Sequence, residues 1–277
     1  MTADSGTQLC FVGGGNMASS LIGGLIAGGH DPSLISVSDP SETQRAELES
    51  RFGIATTEGP SAVDGAAAVV LAVKPHIVEA ACGAIASQLD TDALVISVAA
   101  GTLSDNINQW LGGNRRVVRC MPNTPALYGV GASVLHASAD VDDAQRRLAQ
   151  YILSSAGRVW WVDQEHDLDA VTALSGSGPA YGFLLIEAMT NAGHALGLQR
   201  DLAEQLAVQT LLGSATMAQN DSRDPATLRE GVTSKGGTTA AALHTFEQGQ
   251  FRELVARAMT AARDRARELA QPTGDSA

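Results

Sequence analysis

Strand-like and helix-like segments alternate through the first 160 residues, and this alternation restricts the possible folds more than any other feature of the sequence. The strand-like segments are short and almost continuously apolar, as expected for strands covered on both faces of a parallel sheet. They occupy residues 8–13, 34–39, 68–73, 93–98 and 116–121. Helical stretches separate most of them, so we expect an α/β, doubly wound domain in the N-terminal half.

The pattern changes at about Asp163, after which only helical spacing is visible. Apolar residues recur at helical period in the segments 180–198, 201–219, 225–232, 238–249 and 251–270. A chain of 277 residues is long enough for two domains. We therefore predict an α/β domain over residues 1–163, followed by an all-α domain over residues 164–277.

Charge and hydropathy exclude several classes of protein. The net charge of −12 and the pI of about 4.8 argue against a nucleic-acid-binding protein, which needs Lys and Arg to contact phosphates. No apolar run reaches the roughly 18 residues that a membrane span requires. The polar start, MTADSGT, does not resemble a signal peptide. We expect a cytoplasmic protein that binds neither nucleic acid nor membranes.

The cysteines and histidines do not form a metal-binding pattern. Cys10, Cys82 and Cys120 are far apart in apolar runs, which predicts reduced, buried thiols. The spacing of the histidines does not suggest a shared metal ion, and we expect surface or core positions for His30, His136, His166, His194 and His244.

A glycine motif stands where the first strand should meet the first helix. Residues 13–18, GGGNMA, fit the pattern G-x-G-x-x-G/A. Gly13 would allow the tight turn, Gly15 the approach of a pyrophosphate to the helix N-terminus, and Ala18 the packing of the helix on the sheet. The strand–turn–helix context favours a Rossmann-type dinucleotide site over a purely structural turn.

Asp39 ends the second strand-like run, where many dinucleotide sites carry an acidic residue. Its carboxylate could accept a hydrogen bond from the adenosine ribose, as in sites that prefer NAD, or it could close a turn ahead of Pro40. Arg45 follows at a distance from which it could meet a 2′-phosphate. The choice between NAD and NADP therefore stays open.

Two further segments follow strand-like runs, at the edge of the predicted sheet where ligands bind in such folds. Lys74 and Pro75 follow the third run; the lysine could contact a cofactor, or the proline could simply open a helix. Ala99 and Ala100 follow the fourth run and precede Gly101. Their small size suits either a tight turn or the space for a nicotinamide ring.

The helical half contains two glycine-rich segments, LSGSGPAY at 174–181 and VTSKGGTTAAAL at 232–243. We expect each to form a loop before a helix. Free N–H groups at such a helix start can attract an anion, although the same residues could only end one helix and cap the next. Combined with a dinucleotide domain, they indicate a small anionic substrate that is presented to a hydride donor.

The motifs together resemble those of one enzyme family. GGGNMA (13–18), AVKPH (72–76), VAAG (98–101), RCMPNTPAL (119–127), DAVTALSGSGPAY (169–181) and VTSKGGTTAAAL (232–243) closely resemble pyrroline-5-carboxylate reductases, in order and over about residues 8–268. The last two motifs are the specific ones, because many dehydrogenases share the first.

The resemblance implies an oxidoreductase that catalyses the last step of proline biosynthesis. It would reduce the C=N bond of Δ1-pyrroline-5-carboxylate to L-proline with hydride from NADPH or NADH. The resemblance also implies a homodimer formed through the C-terminal helices, which in such families can assemble into a larger ring of dimers.

The resemblance further assigns roles to individual residues. The cofactor contacts fall on Gly13, Gly15, Asn16, Met17, Asp39, Ala72, Val73, Lys74, Pro75, Val98, Ala99 and Ala100. The substrate carboxylate would be held by the hydroxyl of Ser234 and the N–H groups of Gly237 and Thr238. The catalytic hydroxyl, which hydrogen-bonds the ring nitrogen, falls on Thr239. Lys235 departs from the family, which usually has proline there.

Two other interpretations compete with this one. β-Hydroxyacid dehydrogenases share the two-domain plan, and they resemble each other in having a catalytic lysine on a helix of the second domain. In this sequence the predicted helix after Pro179 contains no lysine, which argues against that family. A non-catalytic protein that senses NAD(P) would keep the fold without turnover, and the intact glycine and hydroxyl segment argues against it.

Overall fold

The computed structural model describes residues 6–270, which form two compact units. The first unit contains residues 6–177 and 262–270, and the second contains residues 178–261. Residues 164–177 thus group with the sheet. The domain limits of 1–163 and 164–277 stay a prediction.

The first unit is built on one eight-stranded sheet. Its strands are β1 (Leu9–Val12), β2 (Ile35–Ser38), β3 (Ala55–Thr57), β4 (Ala68–Leu71), β5 (Leu94–Ser97), β6 (Arg116–Met121), β7 (Gly131–Ala137) and β8 (Gly157–Trp161). They lie in the order β3-β2-β1-β4-β5-β6-β7-β8, and every neighbouring pair is parallel except β6 and β7. The chain order reverses direction between β1 and β4, which makes this point the topological switch of the sheet.

Eleven α-helices lie within residues 6–270. The first six are α1 (Asn16–Ala27), α2 (Glu42–Phe52), α3 (Val78–Ile85), α4 (Ser104–Trp110), α5 (Asp143–Ser154) and α6 (Asp167–Val171). The others are α7 (Gly178–Ala195), α8 (Arg200–Asn220), α9 (Pro225–Gly231), α10 (Thr238–Gln248) and α11 (Phe251–Ala270). The predicted fold class, a Rossmann-type doubly wound α/β domain followed by an all-α domain, is confirmed.

The sheet is buried on both faces, which explains the continuous apolar runs of its central strands. Side chains alternate along β1, so Leu9 and Phe11 join the core on one face while Cys10 and Val12 join the core on the other. Helices α1, α2 and α5 cover the first face, and α3 and α4 cover the second. The sheet therefore has the three-layer arrangement of an open α/β fold.

The cysteines are free and buried, as the sequence predicts. Burial raises the pKa of each thiol, that of Cys10, Cys82 and Cys120, to about 12. No helix within residues 6–270 is long and apolar enough to cross a membrane. In the same range, no group of three or more His, Cys, Asp or Glu side chains is placed to hold a metal ion.

The second unit is helical and leaves many large apolar side chains exposed. Helices α7 and α8 pack closely at Gly193, where a Cβ would lie 3.2 Å from the Cβ of Ala203. The buried residues of these two helices are small: Thr190, Ala203 and Ala207. Exposed side chains on the same helices include Phe183, Leu184, Leu206, Leu212 and Met217, each 49% exposed or more. Residues 178–261 by themselves do not bury these side chains.

Helix α1 approaches the end of α5 so closely that only glycine fits at Gly24. A Cβ there would overlap the carbonyl oxygen of Ser155, whereas a Cβ at the neighbouring Gly23 would lie 3.3 Å from the ring edge of Phe52, a side chain that can move. Ser155 also donates a hydrogen bond from its hydroxyl to the carbonyl of Leu21 at 3.1 Å. The contact therefore fixes helix α1 on the sheet.

We predict that Gly24→Ala lowers the free energy of unfolding by about 1–3 kcal/mol through overpacking. This loss should exceed the helix-propensity gain of alanine, about 1 kcal/mol. Gly23→Ala is the matched control, since it gains the same propensity without the overlap, and it should be neutral or stabilising. Urea unfolding of both variants checks the prediction, and equal midpoints would contradict it.

Candidate active site

Gly13 forms the tight turn between β1 and α1. Its φ of +95° lies in the region that favours glycine, and its N–H donates to the carbonyl of Ser38 at 2.8 Å. A Cβ at this position would lie 2.8 Å from both the carbonyl oxygen of Ala72 and Cγ1 of Val73. The turn is therefore packed against the end of β4, the neighbouring strand.

Asp39 connects the end of β2 to this turn. Its Oδ2 accepts a hydrogen bond from the N–H of Gly14 at 2.8 Å, and its Oδ1 accepts one from the N–H of Ser41, also at 2.8 Å. The turn role is thus present in the structure. Each carboxylate oxygen keeps a second lone pair, so a ribose hydroxyl could still donate to Asp39.

Arg45 lies beside Asp39 but is already engaged. Its Nη1 donates to the main-chain carbonyl of Asp39 at 2.7 Å, and its Nη2 lies 4.0 Å from a carboxylate oxygen of Glu58. A 2′-phosphate at this point would have to compete with Glu58 for the guanidinium. Arg45 is therefore not a free cation that would favour NADP over NAD at this position.

The start of helix α1 has the properties of an anion site. Gly15 is the N-cap residue, in an extended conformation without a capping side chain. The first turn of α1 carries no acidic residue, and a Cβ on Gly15 would meet no atom within 4 Å. The N–H groups at the start of the helix and its dipole therefore face open space, where a pyrophosphate fits. Asn16 and Met17 belong to the first turn of this helix.

The ends of β4 and β5 complete the edge of the sheet. The N–H of Ala72 donates to the carbonyl of Val12 at 2.8 Å, and that of Val98 donates to the carbonyl of Leu71 at 3.2 Å. Lys74 follows in an exposed, extended conformation before a short 3-10 turn that begins with Pro75. The predicted cofactor residues after β1, β4 and β5 thus meet at the switch point, where dinucleotides bind in this fold.

Residues 174–181 do not form the loop that the sequence predicts. Thr172–Gly176 is a π-helical turn, closed by a hydrogen bond from the N–H of Ser177 to the carbonyl of Thr172 at 2.8 Å, and α7 begins at Gly178. A Cβ on Gly176 would overlap the Cε of Met121, the end of a flexible side chain, so Gly176 lies in close contact with β6.

The second glycine-rich segment does form a loop, in the second unit between α9 and α10. Gly236 has a φ of +72°, and the N–H of Gly237 donates to the carbonyl of Ser234 at 3.1 Å. A Cβ on Gly237 would overlap the hydroxyl oxygen of Ser234. This pair of glycines folds the hydroxyl of Ser234 back toward the first turn of α10.

The start of α10 offers free donors. Its N-cap residue, Gly237, provides no capping side chain, and the first helical hydrogen bond runs from the N–H of Ala241 to the carbonyl of Gly237. The N–H groups of Thr238 and Thr239 therefore lack helical acceptors. In the described part of the chain, the hydroxyls of Ser234, Thr238 and Thr239 have no hydrogen-bond partner, whereas that of Thr233 donates to the carbonyl of Arg229. Such a cluster suits a carboxylate.

Two family models match the chain, one in each half. The model described as pyrroline-5-carboxylate reductase dimerisation matches residues 165–269. The model described as NADP oxidoreductase, coenzyme F420-dependent, matches residues 8–101. These limits include the cofactor residues through Ala100 in one match and the α10 loop in the other.

Comparison with whole proteins decides the family. Pyrroline-5-carboxylate reductase of Pseudomonas aeruginosa is 49% identical over 268 residues, which cover 96% of this chain and 98% of that protein. The chain belongs to the pyrroline-5-carboxylate reductase family. It is an oxidoreductase with an NAD(P)-binding domain and the dimerisation domain of that family. The resemblance found in the sequence is thereby confirmed.

Solved structures extend the agreement to three dimensions. The pyrroline-5-carboxylate reductase of Coxiella burnetii is 42% identical and covers 96% of this chain and 99% of its own, with a TM-score of 0.92. The Plasmodium falciparum pyrroline carboxylate reductase, solved with NADP bound, is 28% identical and covers 97% of this chain and 100% of its own, with a TM-score of 0.86. The fold is therefore that of the family over the matched part of the chain.

Two contacts at the cofactor edge were not predicted from the sequence. Gly14 accepts a hydrogen bond from Nε2 of Gln44 at 2.8 Å, and a Cβ on Gly14 would lie 2.6 Å from Leu48. The triple glycine was a signal that Gly14 also has a steric role. Gln44 gave no such signal, because only the packing of α2 on the turn brings it there.

The two outer glycines of the motif should respond differently to alanine. Gly15→Ala should keep the stability of the free protein, because its φ of −68° and the open space around it accept a methyl group. The same methyl group should weaken NADPH or NADH binding by at least about tenfold, or ~1.4 kcal/mol, because it fills the space of the pyrophosphate. Gly13→Ala, the comparison variant, should lower stability itself. Thermal unfolding and cofactor titration separate the effects, and unchanged binding by Gly15→Ala would refute the pyrophosphate assignment.

Proposed function

We propose that this protein reduces the C=N bond of Δ1-pyrroline-5-carboxylate to L-proline by hydride transfer from NADPH or NADH, the last step of proline biosynthesis. The observation that carries the proposal is the start of α10, where unpaired hydroxyls surround a helix N-terminus in a chain of this family. A carboxylate next to an imine matches that arrangement.

The cofactor is proposed to lie on the carboxyl edge of the sheet. The pyrophosphate would bind the start of α1 through Gly13, Gly15, Asn16 and Met17. The other contacts are proposed for Asp39 at the ribose, and for Ala72, Val73, Lys74, Pro75, Val98, Ala99 and Ala100 along the ends of β4 and β5.

The substrate carboxylate is proposed to bind the hydroxyl of Ser234 and the N–H of Thr238. The N–H of Gly237 already donates to Ser234, so the second backbone donor available is that of Thr239. Gly237 would then contribute by bringing Ser234 close to the helix start. Lys235 is exposed and could add a positive charge to the same loop.

Thr239 is proposed as the catalytic residue at the ring nitrogen. Hydride leaves C4 of the reduced nicotinamide and attacks the imine carbon, the C=N π electrons move to nitrogen, and nitrogen retains or takes up one proton. A protonated imine is already a strong electrophile, so orientation and a neutral hydroxyl at nitrogen suffice. The reaction then needs no His or Asp acid in the second unit.

A homodimer formed through the helical domain is also proposed, with assembly into a ring of dimers as its extension. Support comes from the exposed apolar side chains of α7 and α8, among them Phe183, Leu184 and Leu212, because clustered exposed apolar side chains are typical of an interface between protein chains. The free, buried cysteines support a reducing, cytoplasmic location.

The test of function is an absorbance assay at 340 nm. Δ1-Pyrroline-5-carboxylate is offered with NADH and with NADPH, and a 3-hydroxyacid with the oxidised cofactors serves as the comparison. We expect oxidation of at least one reduced cofactor by the imine and no reaction of the hydroxyacid. The opposite pattern would overturn the proposal in favour of a hydroxyacid dehydrogenase, and no turnover in either assay would indicate a non-catalytic protein.

We predict that Thr239→Ala lowers kcat about 10²-fold, the lower range for a single positioned hydrogen-bonding group in catalysis. Cofactor affinity should not change, and Thr239→Ser should recover most of the activity because it restores the hydroxyl. Thr245→Ala is the matched control on the same helix, since the hydroxyl of Thr245 donates to the carbonyl of Ala241 on the helix surface. Wild-type kinetics for Thr239→Ala would remove this residue from the mechanism.

A further inference from the structure

A partly buried ion pair lies beside the segment proposed to contact the nicotinamide ring. This segment, the 98–103 loop, connects β5 to α4. Nη1 of Arg119 lies 2.8 Å from Oε1 of Glu165, and the side chains of the two residues are 6% and 23% exposed. Arg119 stands on β6, in register with Ser97, the last residue of β5. The pair therefore lies next to the point where the loop begins.

The same carboxylate also holds the far end of the loop. Helix α4 begins at Ser104, and its N-cap residue, Leu103, has no side chain that can accept a hydrogen bond. The N–H of Ser104 donates instead to Oε1 of Glu165 at 2.7 Å. One oxygen atom thus joins the helix start after the loop to the arginine on the strand beside it, although 61 residues separate Ser104 from Glu165.

The surroundings of Glu165 favour its charged form. Burial by itself would raise the pKa of Glu165, but the hydrogen bonds from Arg119 and Ser104 outweigh it and hold the pKa below the usual range. His136, paired with Arg119 across β6 and β7, has a pKa lowered chiefly by burial, so it is neutral near pH 7. Within residues 6–270, Glu165 is the only acidic side chain that forms an ion pair with Arg119.

The 98–103 loop also contacts helix α11. Gly101 has a φ of +74°, and a Cβ there would lie 3.4 Å from the main-chain carbonyl of Leu269 on α11. Arg267, two residues earlier on α11, lies 3.5 Å from the carboxylate of Asp169 on α6. Residues just after Glu165 therefore also help to hold the part of α11 that packs on Gly101.

We infer that Glu165 and Arg119 are positioning residues for hydride transfer: through Ser104 they hold the 98–103 loop in the conformation that receives the nicotinamide ring. The inference rests on the proposed function, because that function places the nicotinamide at Val98–Ala100. Neither side chain touches the reacting atoms. Displacement of the loop by a fraction of an ångström would misalign donor and acceptor without closing either binding site.

The test compares Glu165→Gln and Arg119→Met with Asp92→Asn. The Gln variant keeps the side-chain volume and an oxygen for the N–H of Ser104 but removes the charge that pairs with Arg119. The control variant, Asp92→Asn, removes the ion pair between Asp92 and Nη1 of Arg116, whose atoms lie 2.8 Å apart. This pair also connects β6 with the segment before β5, but it lies at the end of β6 that is opposite to Arg119. We expect Asp92→Asn to have wild-type kinetics.

For Glu165→Gln, kcat with Δ1-pyrroline-5-carboxylate should fall roughly 10- to 100-fold, as expected for a misaligned near-attack geometry. KM for the imine should change by less than about threefold, since the α10 loop is untouched. The isotope effect on kcat with 4-deuterated NADPH should rise toward its intrinsic value, because hydride transfer becomes the slow step. Arg119→Lys, which restores a cation, should recover part of the activity lost in Arg119→Met.

A second measurement separates this inference from the proposed function. The fluorescence emission of bound NADPH reports the surroundings of the nicotinamide without turnover, and it should change in Glu165→Gln but not in Asp92→Asn. If wild type does not reduce the imine, the proposed function fails, yet the emission still decides the positioning role. The inference would be overturned if Glu165→Gln had the emission, kcat and isotope effect of wild type. In that case the ion pair would have only a structural role, even if the Tm were lower.

Discussion

The close contact between the Gly13 turn and the end of β4 is the constraint on which the cofactor edge depends. Gly13 has a φ of +95°, and a Cβ at this position would lie 2.8 Å from the carbonyl oxygen of Ala72 and from Cγ1 of Val73. This contact directs the start of α1 over the switch point of the sheet, and Asp39 then binds the next N–H of the turn. One steric requirement thereby sets the position of the α1 start, of Asp39 and of the strand ends together, which are the places proposed for the pyrophosphate, the ribose and the nicotinamide.

The second unit depends on a different constraint, the burial of apolar surface. Helices α7 and α8 use small residues, such as Gly193 and Ala203, where they meet, so their large side chains point elsewhere. Covering those side chains contributes about 25 cal/mol for each Å² removed from water, which is a strong driving force for association. The helical domain is therefore best understood as part of an assembly, in agreement with the dimerisation model that matches residues 165–269.

The sequence predicted the parts of the fold whose physical signal is local. The five apolar runs correspond to β1, β2, β4, β5 and β6; all of these except β2 are buried on both faces, and such strands need continuous apolar residues. Strands β3, β7 and β8 were not predicted from the sequence. Burial alternates along β7 and β8, and β3 has only three residues. The π-helical turn at Thr172–Gly176 was not predicted, because Gly176 packs closely on Met121 and composition cannot distinguish this role of a glycine from a loop.

The candidate site shows the same limit. Glycine spacing predicted the helix starts of α1 and α10, which have no capping side chain, because such starts follow from local sequence. The link from Ser104 through Glu165 to Arg119 could not be predicted, because it joins residues 46 and 61 positions apart through tertiary structure alone. Gln44 is a comparable case, since the packing of α2 on the glycine turn decides its contact with Gly14.

The placement of the two lysines bears on how an acidic protein attracts anionic ligands. The chain has a net charge of −12, yet both proposed ligands, a dinucleotide and an amino-acid-like carboxylate, are anions. At physiological salt the Debye length is about 8 Å, so charges close to a site outweigh the distant net charge. Lys74 follows β4 beside the Gly13 turn, and Lys235 lies in the loop before α10; both are exposed. The chain has no other lysine, so both of its lysines lie in segments that belong to the proposed anion sites. Local positive charge and helix dipoles can therefore favour both ligands within a repulsive overall field.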